Sequence, residues 1–411
     1  MDDLQEFASR LVGFASTTGD EADAAAWFRS RLDELGFETC VWEPDAARLA
    51  AHPSFPDDPR EIDTEDRPSV GGVLEFGDPD AGPTVVLNGH LDVVPADRAV
   101  WSSDPFEPTW NGTELTGRGA ADMKSGLTAC VFAAKRLAAG GRPDRDLDGR
   151  VVVEGVAGEE EGGVGAAAAA LDNPYPFERD AAVIAEPTDL TPVVASEGSL
   201  MKRLRVTGRS AHAATPWRGE SVLPHFEAIE AAFEDLAAER EARVTHPLYE
   251  SFPTKWPVVC GTVDAGDWAS TVPASLTAEW RIGVAPGETV AEVEAEFDAA
   301  LADVVAEREW LREHPPVFER FSVQFEPSEV DPDEPVVRAV QSAMADNGLD
   351  DTEARGVTYG ADARHYVDTG IPTVLFGPGS IEQAHFPDET VDFREVEVAV
   401  DVLADALRRL L

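Results

Sequence analysis

Lysine is scarce in this chain of 411 residues: Lys124, Lys135, Lys202 and Lys255 are the whole complement, and basic residues number 33 against 79 acidic ones. The formal charge of −46 repels phosphate backbones and anionic lipid headgroups, so nucleic acid and membrane are excluded as expected partners. So much like charge also makes the folded chain repel itself, and molar salt relieves this by shortening the Debye length to about 3 Å. A halophilic interior is therefore the predicted working environment. Cysteine is equally sparse. Cys40, Cys130 and Cys260 are odd in number and far apart, which excludes a disulfide framework or a cysteine-ligated zinc and indicates a reducing compartment. Long apolar runs are missing too, and the start, Met1-Asp2-Asp3-Leu4-Gln5-Glu6, is acidic. Neither a signal peptide nor a membrane span is expected, and the cytoplasm is the expected location.

What is present suits a globular α/β chain, with 43% hydrophobic residues to build cores. Two helical patterns open it (Leu4 to Val12, then Ala25 to Leu35, stopping at Gly36), and residues 43–69 read as a Pro- and Asp-rich irregular insertion containing a solvated His52. Short unbroken apolar runs, Thr84 to Leu87, Val151 to Val153 and Ala181 to Ala185, read as strands buried on both faces. A helical pattern from Leu127 ends at Gly140-Gly141. From about residue 198 the order becomes β-α-β-β-α-β: strands Leu200 to Thr207, Val258 to Val263, Leu276 to Gly283 and Phe321 to Phe325, with helices over 220–240 and from Thr289 to Leu311. That is the ferredoxin-like split βαβ sandwich. The expected organisation is a discontinuous catalytic unit, residues 1–197 and 328–411, with an inserted unit at residues 198–327. A helix from Pro335 to Asn347, a strand from Thr373 to Phe376 and a helix from Glu395 to Leu411 return the chain to the first unit.

The chemistry-bearing residues collect where the buried strands end, which is where open α/β sheets keep their sites. His90 and Asp92 follow the first run, Gly158-Glu159-Glu160-Glu161-Gly162-Gly163 the second, and Glu186 the third; Asp122 lies at a helix start and His385 follows a late strand. Each has a plainer reading: a surface turn for His-x-Asp, a solvated charge run for the glutamates, an N-cap for Asp122. Together, two histidines and three carboxylates (His90, Asp122, one of Glu159 to Glu161, Glu186, His385) suit two divalent ions if one carboxylate bridges. A spare glutamate beside a ligand is what a metal-activated water needs as general base.

His90-Leu91-Asp92-Val93-Val94-Pro95, Gly117-Arg118-Gly119-Ala120-Ala121-Asp122-Met123-Lys124, Glu159-Glu160-x-Gly-Gly, Gly208-Arg209-Ser210-Ala211-His212, and Gly377-Pro378-Gly379 up to His385 occur in this order over nearly the whole chain. This set resembles the dinuclear zinc hydrolases that include acetylornithine deacetylase, succinyl-diaminopimelate desuccinylase, aminoacylase and carboxypeptidase G. The resemblance implies a zinc-peptidase-like mixed-sheet catalytic domain whose inserted domain serves as lid and dimerisation surface. It implies that His90, Asp122 and Glu186 hold one metal, that Asp122, Glu160 and His385 hold the other, and that Zn²⁺ is the ion, with Co²⁺ as the alternative. By the same carry-over Asp92 orients His90, Glu159 is the general base, and His212 stabilises the oxyanion across a homodimer interface. Arg364 and Arg281 match positions that bind a substrate carboxylate, although an arginine in so acidic a chain also makes ordinary ion pairs.

Two departures stand out. Gly158 occupies the place of the family's acidic residue before the glutamate pair, so the frame shifted to Glu160 and Glu161 is an alternative. Trp268-Ala269-Ser270-Thr271-Val272-Pro273 carries no asparagine where many relatives have Asn-x-x-Pro. The expected activity is hydrolysis of the amide bond of a small N-acyl amino acid. The rivals are a dipeptidase or aminopeptidase on the same centre and a non-catalytic metal-binding scaffold.

Overall fold

The computed structural model describes residues 3–140 and 147–411; Met1, Asp2 and the helix-stop residue Gly141 lie outside them. A nine-stranded mixed sheet forms the larger layer. At its centre Thr84–His90 runs parallel to Gly149–Val156 on one side and to Ala181–Ile184 on the other, and Thr373–Leu375 continues the parallel set. All seven residues of Thr84–His90 are buried, because helices cover the sheet and alternation with polar residues has no place there. The helices Ser125–Ala139 and Phe393–Leu410 pack against each other within the main core. Gly126 lets the first of them seat: a Cβ there would stand 2.0 Å from the Ala185 carbonyl oxygen. Each fully buried Leu, Val or Phe in this core contributes about 1.5–3 kcal/mol.

The chain leaves the large sheet after Val193–Ser196 and rejoins it at Ser328–Glu329, where Ser328 pairs with Ser196. Between these points a four-stranded antiparallel sheet, ordered Val258–Ala265, Ser275–Val284, Gly198–Thr207, Val317–Arg320, carries Leu223–Arg243 and Val290–Glu307 over a separate core around Phe233, Trp280 and Phe297. Thr289 caps the second helix through a reciprocal capping box with Glu292.

Four expectations need correction. The last strand of the inserted unit is Val317–Arg320 and not Phe321 to Phe325: Ser322 takes a left-handed φ of 58°, and the Gln324 side chain accepts from Met201 N–H, which interrupts the ladder until Phe325 makes a single bridge to Ser199. The helix expected to run to Leu311 breaks at Arg308, whose backbone is extended, and restarts as Glu309–Glu313. Segment 43–69 is not irregular throughout. It holds the helix Ala46–Leu49 and a small core of Leu49, Phe55 and Ile62 against Val164 and Ala167. His52 is accordingly not solvated; its ring packs against Phe55 and His365. The strands Glu38–Trp42 and Ser69–Phe76 pair antiparallel at the sheet's edge, and in the second Gly71-Gly72 interrupts the apolar pattern that would mark it in the sequence.

Candidate metal centre

Five donors converge at the ends of the parallel strands. His90, Asp122 and Glu186 form one group and Asp122, Glu160 and His385 another, with the donor atoms of each group within 4.8 Å of one another. Asp122 belongs to both: its Oδ1 lies 3.2 Å from His90 Nε2 and its Oδ2 3.5 Å from His385 Nε2. His385 Nε2 also lies 3.0 Å from Glu160 Oε2.

The backbone explains this convergence. His90 is the last residue of its strand and is locked by Leu91 N–H donating to the Val156 carbonyl at 2.7 Å. Asp122 sits in the turn Ala120–Lys124 that opens the helix Ser125–Ala139. The short turn Glu159–Glu161 follows Gly149–Val156 and is bracketed by Gly158 and Gly162 at φ 74° and 102°, conformations that favour glycine. His385 itself has φ 65°.

The protonation pattern tests whether cations fit. His90 Nδ1–H donates to the Asp92 main-chain carbonyl at 2.9 Å, so in a neutral imidazole the lone pair on Nε2 would face the Asp122 carboxylate. Two acceptors in that relation need a positive charge between them. Burial opposes a charged His90, yet the hydrogen bond to Asp122 and the fields of Asp92, Asp122 and Glu186 raise its pKa well above the usual value. Glu186 and Glu159 are pushed well above the carboxylate range, first by burial and then by neighbouring charges. Glu186 Oε1 is buried without a hydrogen-bond partner. Nitrogen and oxygen donors crowded in this way suit two borderline divalent ions.

The other named residues are arranged differently. The Asp92 carboxylate, 3.7 Å from His90 Nδ1, is committed elsewhere: it accepts from the N–H groups of Gly158, Glu159 and Glu160 at 2.8, 3.2 and 3.0 Å. Glu161 pairs with Arg67 Nη1 at 3.0 Å, away from the donors. His212 lies in an exposed turn of the inserted unit, its Nδ1 accepting from Ala214 N–H at 3.0 Å, and belongs to neither donor group. Arg364 is turned inward: it is 3% exposed, covers the Phe325 ring, and donates to the Gly162 carbonyl at 2.7 Å, so its fork holds a loop. Arg281 donates to Glu197 Oε1 and to the Thr358 carbonyl, both at 3.1 Å, and keeps 32% of its side chain exposed.

Asp362 and His365, fully buried behind Gly163, escape sequence reading, as does Lys124, whose Nζ ties the turn after Asp122 to the Phe14 carbonyl and Ser16 Oγ at 2.8 and 2.9 Å. Their positions in the motifs give no sign of these partners.

A sequence profile of the peptidase family M20/M25/M40 matches residues 86–409. The acetylornithine deacetylase of Salmonella heidelberg (strain SL476) is 30% identical over 334 residues, covering 79% of this chain and 79% of that protein. Among solved structures, an M20 family metallo-carboxypeptidase from Sulfolobus solfataricus superposes with a TM-score of 0.75 at 16% identity, covering 100% of this chain and 99% of that one. A di-peptidase from Saccharomyces cerevisiae gives a TM-score of 0.74 at 15% identity, over 99% and 95% of the two chains.

Proposed function

The chain belongs to peptidase family M20/M25/M40 and is a metal-dependent hydrolase of amide bonds, and we propose that it is a deacylase of small N-acyl amino acids working with two Zn²⁺ ions. The observation that carries this reading is the pair of donor groups sharing Asp122 beside a buried Glu159. His90, Asp122 and Glu186 would hold one ion and Asp122, Glu160 and His385 the other. Bound there, the ions would polarise the scissile carbonyl and bring the pKa of a water toward neutrality. Glu159 is the general base: it accepts a proton from the attacking water and returns it to the amine nitrogen as the C–N bond breaks. A carboxylate raised by burial is matched to both transfers. With Glu161 held by Arg67, Glu159 and Glu160 are the working pair.

The substrate carboxylate is bound by the exposed part of Arg281, with Arg364 supporting the loop behind Glu159. His212 of a second copy stabilises the oxyanion in a homodimer formed through the inserted unit, whose edge strand Val258–Ala265 exposes Val259 and Val263. Zn²⁺ is favoured by the mixed nitrogen and oxygen donors, with Co²⁺ the alternative, and the cytoplasm is the working location. No helix among the described residues is long and apolar enough to cross a membrane. Release of free amine is to be assayed on N-acetyl, N-succinyl and N-formyl amino acids and on dipeptides, in high salt with Zn²⁺ or Co²⁺. Faster turnover of N-acyl amino acids supports the deacylase reading, and faster turnover of dipeptides overturns it in favour of a peptidase.

A further inference from the structure

Glu389 is fully buried, beside a site already crowded with carboxylates. A buried carboxylate is costly unless it is paired and hydrogen-bonded, so its partners are informative. Oε1 accepts from Ala121 N–H at 2.8 Å and Asp122 N–H at 3.1 Å. Oε2 accepts from Gly119 N–H at 3.1 Å and Arg118 Nη1 at 2.6 Å. Three of its four partners are main-chain donors of the turn that delivers Asp122.

Arg118 extends the connection. Its Nη2 donates to the His385 carbonyl at 3.3 Å and its Nη1 to the Phe386 carbonyl at 3.4 Å. His385 needs such an anchor, because its side chain is 53% exposed and its backbone is left-handed. The base of the assembly is fixed as well: Gly117 N–H donates to the Glu389 carbonyl at 3.0 Å, and the strand Thr390–Asp392 then pairs with Glu114–Thr116.

We propose that Glu389 is the positioning residue for Asp122, and that Arg118 carries the same constraint to His385, so that the donor common to the two metal positions and one donor of the second are set before any ion arrives. This rests on the dinuclear reading given above. Since Asp122 serves both groups, loss of Glu389 weakens both ions; since Arg118 pairs with Glu389 and also holds the His385 and Phe386 carbonyls, loss of its fork weakens the His385 ion more than the other. Groups that orient ligands in this way are worth about 10–100-fold in metal affinity.

The test is Zn²⁺ binding alone, by competition with a chromophoric chelator in buffered KCl, on the full chain stripped of metal. Glu389→Gln keeps the shape but replaces one accepting oxygen with a donor. It is expected to weaken both stepwise affinities by about 10-fold or more. Arg118→Lys keeps a charge for Glu389 but cannot span both carbonyls, and is expected to weaken the step that His385→Ala removes more than the other step. Thermal unfolding of the stripped variants separates positioning from general support. A lowered melting temperature with both affinities unchanged in Glu389→Gln overturns the proposal. If Glu389→Gln does not fold, Arg118→Lys decides alone, and unchanged or equally weakened steps overturn it. A wild-type chain that fails to take two ions refutes the dinuclear reading itself, a separate outcome.

Discussion

The carboxylate of Asp92 lies beneath the turn that carries Glu159, with Oδ1 accepting from Glu159 N–H at 3.2 Å. Asp92 thus joins two parts of the site: its carbonyl fixes the tautomer of His90 and its side chain organises the Glu159–Glu161 turn. Asp92→Asn retains the carbonyl contact but loses one accepting oxygen. Its turnover is expected to fall about 10–100-fold while metal content stays near that of wild type. Steady-state kinetics with metal analysis checks this, and loss of metal with normal turnover per bound ion would place the effect on His90 instead.

His212 is exposed and outside both donor groups within one chain. If a second copy supplies it, His212→Ala and Glu159→Gln are each inactive alone, but mixed subunits regain part of the activity, because a hybrid dimer contains one intact site. Activity of refolded mixtures is the measurement. No recovery, in dimers shown to exchange subunits, removes His212 from the shared site.

Glu197, which belongs to neither donor group, gives a pH signature of its own. Burial pushes its carboxyl up to about 8 despite the opposing pull of Arg281, and Oε2 has no hydrogen-bond partner. A folded-state pKa above the unfolded value of 4.5 means that the native state holds the proton more tightly. Its contribution to stability is therefore complete below about pH 4.5 and is lost as pH rises toward about 8. The stability of Glu197→Gln relative to wild type should rise through that window, with a slope of at most about 1.4 kcal/mol per pH unit. Urea unfolding of both proteins at several pH values tests this, and a flat difference would contradict it.

A net charge of −46 predicts that salt stabilises the folded chain. The melting temperature should climb between low and molar KCl, and more steeply than in a variant with a dozen exposed carboxylates neutralised. A melting temperature independent of KCl counts against a halophilic working environment.

Much of the architecture was legible because buried parallel strands leave unbroken apolar runs, as at Val85, Val86 and Leu87, and because the acids and histidines stand where those runs stop. What stayed hidden depends on contacts between distant residues. Glu389 and Arg118 are 271 positions apart in the chain, and neither lies in a pattern that announces the other. Arg364 looked free to bind a carboxylate, but Phe325 and the Gly162 carbonyl draw it inward. The resemblance implies that Asp92 orients His90, and the hydrogen bond that does so is accepted by its main-chain carbonyl while its carboxylate serves the next turn. Local pattern identifies which residues carry chemistry; which atom of each is used is decided by tertiary hydrogen bonding.

The central claim is most directly tested by titrating the stripped protein with Zn²⁺ while following hydrolysis of an N-acyl amino acid, beside Glu159→Gln treated identically. Wild-type activity is predicted to depend on two bound ions per chain, and Glu159→Gln to bind the same two ions while losing at least about 100-fold in turnover. Wild-type turnover in Glu159→Gln, or full activity without bound metal, would contradict the account.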